Sequence, residues 1–518
     1  MEDEILGLLV SRRAVIRGLA ATPLVLLASG CGSSASSLTG YWVFRVPNND
    51  GTYRESFFQL QQSGEAITGK VMMGSRELPI SNGTLKGGKL HFEVAMRFRQ
   101  QARTVVYDGA VQGSRIALTM QFPSRRSVSG TAERTTREAT LPPARLPLPA
   151  LHDVPDNGLV RTPQMGWNSW NKFAGRVDDA VVRAAADAMV SSGMKAAGYT
   201  YINIDDTWQG ERDKNGNIQA NRKFSDMKAL ADYVHSKGLK IGLYSSPGPK
   251  TCAGYTGSFG HEEQDAHTYA EWGYDYLKYD WCSASSIYKT DEMQPVYQKM
   301  GDALSKCGRP IVFSLCQYGL DDVWTWGAKV GGNSWRTTGD IQDNWKSMSA
   351  IAQKQFAIAS YVRPGHWNDP DMLEIGNGGM TTTEYQTHMS LWCLLRAPLL
   401  AGNDLHTMSA DTKAILTNRE VLAISQDRAA KAPKVISQAG EISVVARPLA
   451  DGSAAFAFLN WGDQPTEVSV EWESAGLSGK RLRARDLWKH QIVRVPAGRE
   501  FGAKVPAHGT LLLRVHSE

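Results

Sequence analysis

Ionisable and aromatic side chains follow short apolar runs at one point after another in the middle of this chain. In sequence order, the residues at these run ends are Trp167, Trp170, Asp205, Asp206, Tyr244, Lys278, Asp280, Gln317, Arg336, Asp340, Asp369 and Asp371. Burying a charge is costly unless it is paired, so a run that ends this way ends either at a site or in solvent. Two carboxylates beside polar groups that bind hydroxyls and rings that stack on sugars are what glycosidic bond cleavage requires.

The elements that must position these side chains lie between about residues 161 and 430. Eight apolar runs, "QMGW", "YTYINI", "LKIGLY", "YDYLKY", "PIVFSL", "NSWRTT", "GHWND" and "PLLAG", alternate there with helical segments. Several of those segments end in glycine, as a helix C-terminus should. The alternation predicts a (β/α)8 TIM barrel, in which side chains at the carboxyl ends of the strands meet at one face. The crossover "CQYGLDDVWTWGAKVGG" is the least clearly helical.

Strictly alternating segments flank the predicted barrel. Residues 38–135 contain "KLHFEVAMRF" and "SRIALTMQF", whose alternation predicts antiparallel strands of an extra N-terminal small all-β domain, either a barrel or a sandwich. Residues 136–160 form a proline-rich linker, and residues 431–518 predict a C-terminal antiparallel β-sandwich. The N-terminal module has about twice as many basic as acidic residues. We interpret it as a soluble spacer, with polyanion or glycan binding as the alternative.

The first 31 residues have the pattern of a targeting segment. Arg12 and Arg13 precede the apolar run "GLAATPLVLLASG", and Cys31 follows it. The run is too short to span a bilayer as a stable helix, and it resembles a twin-arginine export signal followed by a lipoprotein cleavage site. We therefore expect an exported protein, periplasmic or at the cell surface, with Cys31 as a candidate lipid anchor in the membrane. Cleavage by an ordinary signal peptidase is the alternative, because Ala28 stands where such sites usually carry leucine.

Charge and motif patterns argue against several other classes of protein. The net charge of +5 is spread along the chain without a long block of one sign, so nucleic acid is not an expected partner. There is no phosphate-binding loop or glycine-rich dinucleotide turn, and no cysteine pair has the spacing of a zinc site. We expect no cofactor and no metal. A predicted strand separates Cys307 from Cys316, which argues against a bridge between them.

Eight motifs in order, "GWNSW", "YINIDDTW", "SKGLKIGLY", "KTCAGYTGSFG", "YLKYDWC", "WRTTGDI", "WNDPDML" and "APLLAGNDL", resemble glycoside hydrolase family 27. That family contains the α-galactosidases and α-N-acetylgalactosaminidases, and the resemblance covers about residues 161–518. It implies a retaining exo-α-galactosidase acting on an oligosaccharide, polysaccharide or glycoconjugate. Asp280 matches the nucleophile that forms a covalent glycosyl-enzyme, and Asp340 matches the general acid/base.

The same resemblance implies roles for the residues around these two carboxylates. Lys278 would bind sugar hydroxyls, and we expect its charge to keep Asp280 ionised. Asp205 and Asp206 would accept hydrogen bonds from the 6- and 4-hydroxyls. The further pocket residues implied are Trp170, Tyr244, Arg336 and Asp371. Cys252 and Cys282 match a pair of bridged cysteines in the family.

Some of these residues also have a structural interpretation. Turn chemistry explains much of "WNDPDML", so we assign Asp369 to structure and Asp371 evenly to structure and binding. We expect Trp167 to lie in the core and His366 to be a packed histidine.

The chain departs from the family pattern at "SLCQYG". Gln317 stands where the galactosidases often carry glutamate and the N-acetylgalactosaminidases a small residue, at the position that faces the 2-substituent. A glutamine still bonds a 2-hydroxyl and leaves little room for an acetamido group, so we predict galactose as the sugar. An α-N-acetylgalactosaminidase or a β-L-arabinopyranosidase remains the alternative enzyme, and a carbohydrate-binding protein on an inactive barrel is the alternative of another class. We expect Cys316 to be a free thiol.

Overall fold

The computed structural model describes residues 37–73, 76–98, 101–124, 126–472, 482–495 and 500–517. The predicted export signal and Cys31 lie outside these residues, so both stay predictions. Within the described part of the chain, no helix is long and apolar enough to cross a membrane. The chain divides into two compact units, one ending at Ala144 and including Ala253–Tyr255, the other containing the rest of the chain from Arg145.

The N-terminal unit is a closed antiparallel barrel of eight strands, each paired with the next, while the first pairs with the eighth. The strands are Gly40–Pro47, Tyr53–Ser63, Ala66–Met73, Arg76–Lys86, Lys89–Phe98, Gln101–Gln112, Arg115–Gln121 and Ser127–Thr135. The predicted alternation is confirmed, because Leu90, Phe92 and Val94 all point into the core. The rings of Phe92 and Tyr107 stack with centroids 4.6 Å apart at its centre. Of the two architectures expected, the barrel is correct.

The second unit contains the predicted (β/α)8 barrel. Its eight parallel strands are Met165–Asn168, Tyr201–Asn203, Lys240–Ser245, Tyr276–Asp280, Val312–Cys316, Ser334–Arg336, Trp367–Asp369 and Leu399–Ala401. Each strand from the first to the sixth pairs in parallel with the next one, and the eighth pairs in parallel with the first. A parallel bridge between Leu373 and Ala401 joins the segment after the seventh strand to the eighth. All eight strands overlap the apolar runs predicted from the sequence.

Helices connect these strands, and most have side-chain N-caps. The principal helices are Asp179–Ser191, Met227–Ser236, Glu262–Trp272, Met293–Lys306, Trp345–Ile358 and Thr382–Leu395, with the shorter helices Trp170–Phe173, Met194–Ala197, Ala410–Leu416 and Arg419–Ser425. Asp178, Asp226, Asn344 and Thr381 each accept a hydrogen bond from a backbone N–H of the first turn. The fifth crossover contains only the 3-10 segment Leu320–Thr325, as its sequence indicates.

The proline-rich segment after Arg145 packs along the barrel. The Val154 N–H donates to the Lys329 carbonyl at 2.7 Å, and the Val154 side chain is buried. The Gln298 side chain, itself fully buried, donates to the Ala150 carbonyl at 2.8 Å. This part of the linker is therefore fixed by hydrogen bonds and by burial.

The C-terminal region has antiparallel sheets. Six strands, Lys434–Ala439, Ile442–Pro448, Ala454–Asn460, Thr510–Ser517, Leu482–Asp486 and Gln491–Val493, form one sheet in that spatial order. Thr466–Glu471 and Glu500–Val505 form a second, two-stranded sheet. Phe456, Phe458 and Trp472 are buried in the core of this region with Phe501.

Candidate active site

Asp280 ends the fourth barrel strand with its carboxylate almost fully buried, at 5% exposure. The Tyr318 hydroxyl donates to its Oδ1 at 2.7 Å, and the Tyr244 hydroxyl donates to its Oδ2 at 3.1 Å. Burial raises the pKa of Asp280 to about 6, although the Lys278 charge and the Tyr318 hydrogen bond both act to lower it. The site therefore holds a carboxylate that titrates near neutrality with a hydroxyl donor on each oxygen.

The Lys278 ammonium forms its ion pair with Asp205 and not with Asp280. Its Nζ is 2.8 Å from Asp205 Oδ2, which also accepts from Asn168 Nδ2 at 2.8 Å. Desolvation of the Asp280 carboxylate outweighs the attraction of the lysine, so the pKa of Asp280 is raised overall. Lys278 does act in the expected direction, as a smaller contribution.

Asp205 and Asp206 follow the second barrel strand and are both buried. The Asp205 N–H donates to Ser169 Oγ at 3.0 Å, and Asp206 Oδ1 accepts from the Thr207 N–H at 2.6 Å. Asn168 ends the first strand and Ser169 follows it, and both belong to "GWNSW". That motif therefore fixes the position of Asp205.

Arg336 joins two further carboxylates after the sixth and seventh strands. Its Nη2 is 2.8 Å from Asp371 Oδ2 and 3.0 Å from Asp340 Oδ1. The Arg336 and Asp371 side chains are 4% and 5% exposed, whereas that of Asp340 is 58% exposed. Partial burial raises the pKa of Asp340, but the Arg336 guanidinium outweighs it and holds that pKa below its ordinary value. Asp340 is thus the accessible carboxylate of the group.

Asp371 has contacts that fix the loop carrying Asp340. Its Oδ2 accepts from the Ile341 N–H at 2.9 Å, and its Oδ1 accepts from the Met372 N–H at 2.8 Å. Its own N–H donates to Asp369 Oδ1, and its backbone has φ +89°. These contacts involve both carboxylate oxygens and favour a positioning role for Asp371.

The other residues predicted from the sequence differ in how far their side chains are exposed. Gln317 is fully buried; its Oε1 accepts from the Gly319 N–H, and among the described residues its Nε2 has no hydrogen-bond partner. Trp170 is half-buried at the start of its helix. Trp167 is buried in the core, and the buried His366 donates from its Nδ1–H to the Gly332 carbonyl at 2.8 Å, so both are packed residues as expected.

The predicted disulfide between Cys252 and Cys282 is confirmed, with Cα atoms 4.9 Å apart. It ties the loop after the third strand to the residue two beyond Asp280. The Tyr244 hydroxyl lies 3.2 Å from Cys282 Sγ, so the bridge packs directly on the environment of Asp280. Cys316 is free and buried, as expected.

Tyr318 is the residue near Asp280 that the sequence interpretation missed. It stands beside Gln317 in "SLCQYG", at the end of the fifth strand, where the other strands place their polar and aromatic groups. The position of Tyr318 just after a predicted barrel strand is the feature of the sequence that could have identified it. The Arg336 guanidinium carbon lies 5.9 Å from its ring centroid, so Tyr318 lies beside both Asp280 and Arg336.

Because the Asp280 carboxylate is buried, we predict that its charge destabilises the folded protein at neutral pH. Its pKa rises from 3.8 to about 6 on folding, so the folded state binds the proton more tightly than the unfolded chain. Stability is therefore lost as pH rises from about 4 through about 6, and we expect Asp280→Asn to be about 3 kcal/mol more stable than wild type above this range. Urea unfolding at about pH 7.5 and about pH 4 measures the difference, which should vanish at the lower pH. Equal stability at both pH values would contradict the buried charge.

Comparisons with known proteins agree with this geometry. A family model described as "Alpha galactosidase A" matches residues 162–427, and one described as "Alpha galactosidase C-terminal beta sandwich domain" matches residues 439–515. "Alpha-galactosidase A" of Cellvibrio japonicus is 48% identical over 386 residues, which span 69% of this chain and 92% of that protein.

Solved structures show the same relationship. The crystal structure of α-galactosidase I from Mortierella vinacea superposes with a TM-score of 0.67 at 38% identity, covering 70% of this chain and 98% of that one. The structure of α-galactosidase from Saccharomyces cerevisiae with raffinose gives a TM-score of 0.65 at 28% identity, covering 70% and 99%. The chain belongs to the α-galactosidase (melibiase) family, glycoside hydrolase family 27, and is a glycoside hydrolase.

Proposed function

We propose that the protein is a retaining exo-α-galactosidase that releases terminal α-D-galactose through a covalent glycosyl-enzyme on Asp280. The observation that carries the proposal is the buried Asp280 carboxylate, oriented by two tyrosine hydroxyls and flanked by the Lys278–Asp205 and Arg336–Asp340 pairs. The similar proteins named α-galactosidases support the choice of sugar.

Asp280 is the nucleophile of the first step. In its ionised form it attacks the anomeric carbon, and Asp340 donates a proton to the oxygen of the departing aglycone. Its two hydroxyl donors restrict rotation of the carboxylate, which presents it in one orientation. A pKa of about 6 leaves most of Asp280 ionised at neutral pH while keeping it more basic, and hence more nucleophilic, than an exposed aspartate.

Asp340 suits the acid/base role because its side chain is accessible while the other carboxylates are buried. In the empty site Arg336 favours its ionised form. A bound sugar excludes water from Asp340 and disfavours the charge, which shifts the group towards the protonated form that the first step needs. In the second step the ionised Asp340 takes a proton from the water that attacks the anomeric carbon.

The buried acids after the second strand account for recognition of a terminal sugar. Carboxylates accept hydrogen bonds from sugar hydroxyls, and the Lys278 ammonium pairs with Asp205 Oδ2 at 2.8 Å. The proposed ligands of Asp205 and Asp206 are the 6- and 4-hydroxyls, which must be unsubstituted for such close contact. The half-buried ring of Trp170 supplies an apolar face for the sugar.

Hydrolysis of 4-nitrophenyl α-D-galactopyranoside tests the proposal. Wild type should release 4-nitrophenol, and Asp280→Asn should lower kcat/KM on the order of 10⁴-fold or more because no covalent intermediate forms. Asp340→Asn should impair raffinose far more than the aryl galactoside, since nitrophenolate leaves without a proton. Asp411→Asn, an exposed acid on the helix Ala410–Leu416, is the matched control and should be unchanged. Sugar binding by wild type without turnover of any glycoside would support the inactive-barrel alternative instead.

Gln317 provides the test of which sugar is preferred. Its side chain is buried and its Nε2 has no partner in the part of the chain that the structure describes, which favours a small hydroxyl at the 2-position over an acetamido group. We expect Gln317→Ser to raise the ratio of kcat/KM for the N-acetyl-α-D-galactosaminide over the α-D-galactoside about tenfold or more. Competition between the two 4-nitrophenyl glycosides measures that ratio. An unchanged ratio in a folded variant would remove Gln317 from sugar selection.

A further inference from the structure

Tyr318 makes the shorter of the two hydroxyl contacts to Asp280. Its Oη lies 2.7 Å from Oδ1, the length of a charge-assisted O–H···O⁻ bond, against 3.1 Å for Tyr244 Oη to Oδ2. The two residues differ in surroundings. Tyr244 is fully buried, whereas Tyr318 is half-buried on the loop after the fifth strand. Both hydroxyls lie near the disulfide, Tyr244 Oη 3.2 Å from Cys282 Sγ and Tyr318 Oη 3.6 Å from Cys252 Sγ.

The backbone holds Tyr318 in a conformation that such a residue rarely adopts. Its φ is +65°, in the left-handed region that is unfavourable for a side chain with a Cβ atom. Gly319 follows with φ +79°, and a Cβ atom there would come within 2.2 Å of the Thr337 carbonyl oxygen. The left-handed pair turns the chain immediately after Gln317, and the Tyr318 ring ends beside both Asp280 and Arg336. Backbone strain of this kind persists where the surrounding structure holds the residue in that conformation.

The charge of Asp280 also helps to keep the Tyr318 hydroxyl protonated. Burial and the nearby Asp280 carboxylate raise the pKa of Tyr318 far above its ordinary value. The hydroxyl therefore keeps its proton, and remains a donor, at neutral pH. A donor to the charged form of a carboxylate favours that form over the protonated one.

We propose that Tyr318 is a catalytic residue of this chain, which keeps Asp280 ionised for attack and stabilises it as the leaving group when the glycosyl-enzyme is hydrolysed. This inference rests on the proposed function and adds a group to the Asp280–Asp340 pair. Because each Asp280 oxygen has its own tyrosine donor, the oxygen that does not bond the sugar keeps a hydrogen bond throughout the reaction.

The two steps define where the hydroxyl acts. In the first, an Asp280 oxygen bonds the anomeric carbon, the glycosidic bond breaks, and its electron pair and the Asp340 proton stay with the departing oxygen. In the second, water oxygen bonds the same carbon, its proton goes to Asp340, and the broken ester bond returns its electron pair to Asp280. Tyr318 keeps its proton in both steps. Its hydrogen bond strengthens as negative charge returns to Asp280, so it accelerates the second step.

Tyr318→Phe removes only the hydroxyl and keeps the ring and the backbone preference. In the full-length protein we expect the acid limb of kcat/KM for 4-nitrophenyl α-D-galactopyranoside to move about one pH unit upward, because Asp280 loses a donor to its charged form. Above that limb, kcat and KM should fall together, roughly tenfold, because the glycosyl-enzyme accumulates. A pre-steady-state burst of 4-nitrophenol, larger than in wild type, reports that accumulation.

Tyr361→Phe is the control, since Tyr361 is 41% exposed and outside the site. An active wild type with an unshifted acid limb and no added burst in Tyr318→Phe would overturn the role of Tyr318 alone. A loss of kcat with an unchanged KM and no burst would do the same. Wild type that cleaves no α-galactoside would overturn the proposed function and this inference together. If Tyr318→Phe does not fold, the same readings on Tyr318→Met, which also lacks the donor, decide the question.

Discussion

The buried carboxylate of Asp280 is the constraint around which the rest of the site is arranged. A desolvated charge at 5% exposure needs partners, and the structure supplies them as hydroxyl donors on both oxygens and a lysine charge shared with Asp205. The donors come from the third strand and from the loop after the fifth strand, and the lysine comes from the same strand as Asp280. Placing these groups together requires the strands to end at the same level, which a parallel barrel achieves.

Two local devices secure these strand ends. The Cys252–Cys282 disulfide fixes the loop next to Tyr244, and the Arg336–Asp371 pair fixes the loop that carries Asp340. Asp371 has both oxygens occupied by protein donors, so it orients the loop of Asp340, the proposed acid/base, and need not touch the sugar. The site thus combines a rigidly held, buried carboxylate with an accessible one, which is the division of labour that nucleophile and acid/base need.

Periodicity was sufficient to predict the barrel. Parallel strands that are buried on both faces read as short apolar runs, and the glycines that end the helices separate them, so all eight strands could be located. The disulfide and the grouping of carboxylates followed from the family resemblance. Antiparallel alternation predicted the N-terminal strands but not whether they close, because closure depends on the pairing of Gly40–Pro47 with Ser127–Thr135.

The features of the site that could not be predicted from the sequence are those that depend on distances between side chains. The partner of Lys278 is Asp205, and only the structure shows that burial then decides the pKa of Asp280. The position of Tyr318 after the fifth strand marks it as a candidate, but the left-handed turn that brings its hydroxyl to Asp280 is seen only in the structure.

The proposed covalent bond between Asp280 and the sugar can be tested most directly by trapping the intermediate. A 5-fluoro-α-D-galactosyl fluoride serves as the trapping reagent, and mass spectrometry maps the modified peptide. We expect one 5-fluorogalactosyl adduct, located on Asp280 and absent from Asp280→Asn. An adduct on Asp340, or turnover of the reagent with inversion at the anomeric carbon and no adduct, would contradict it.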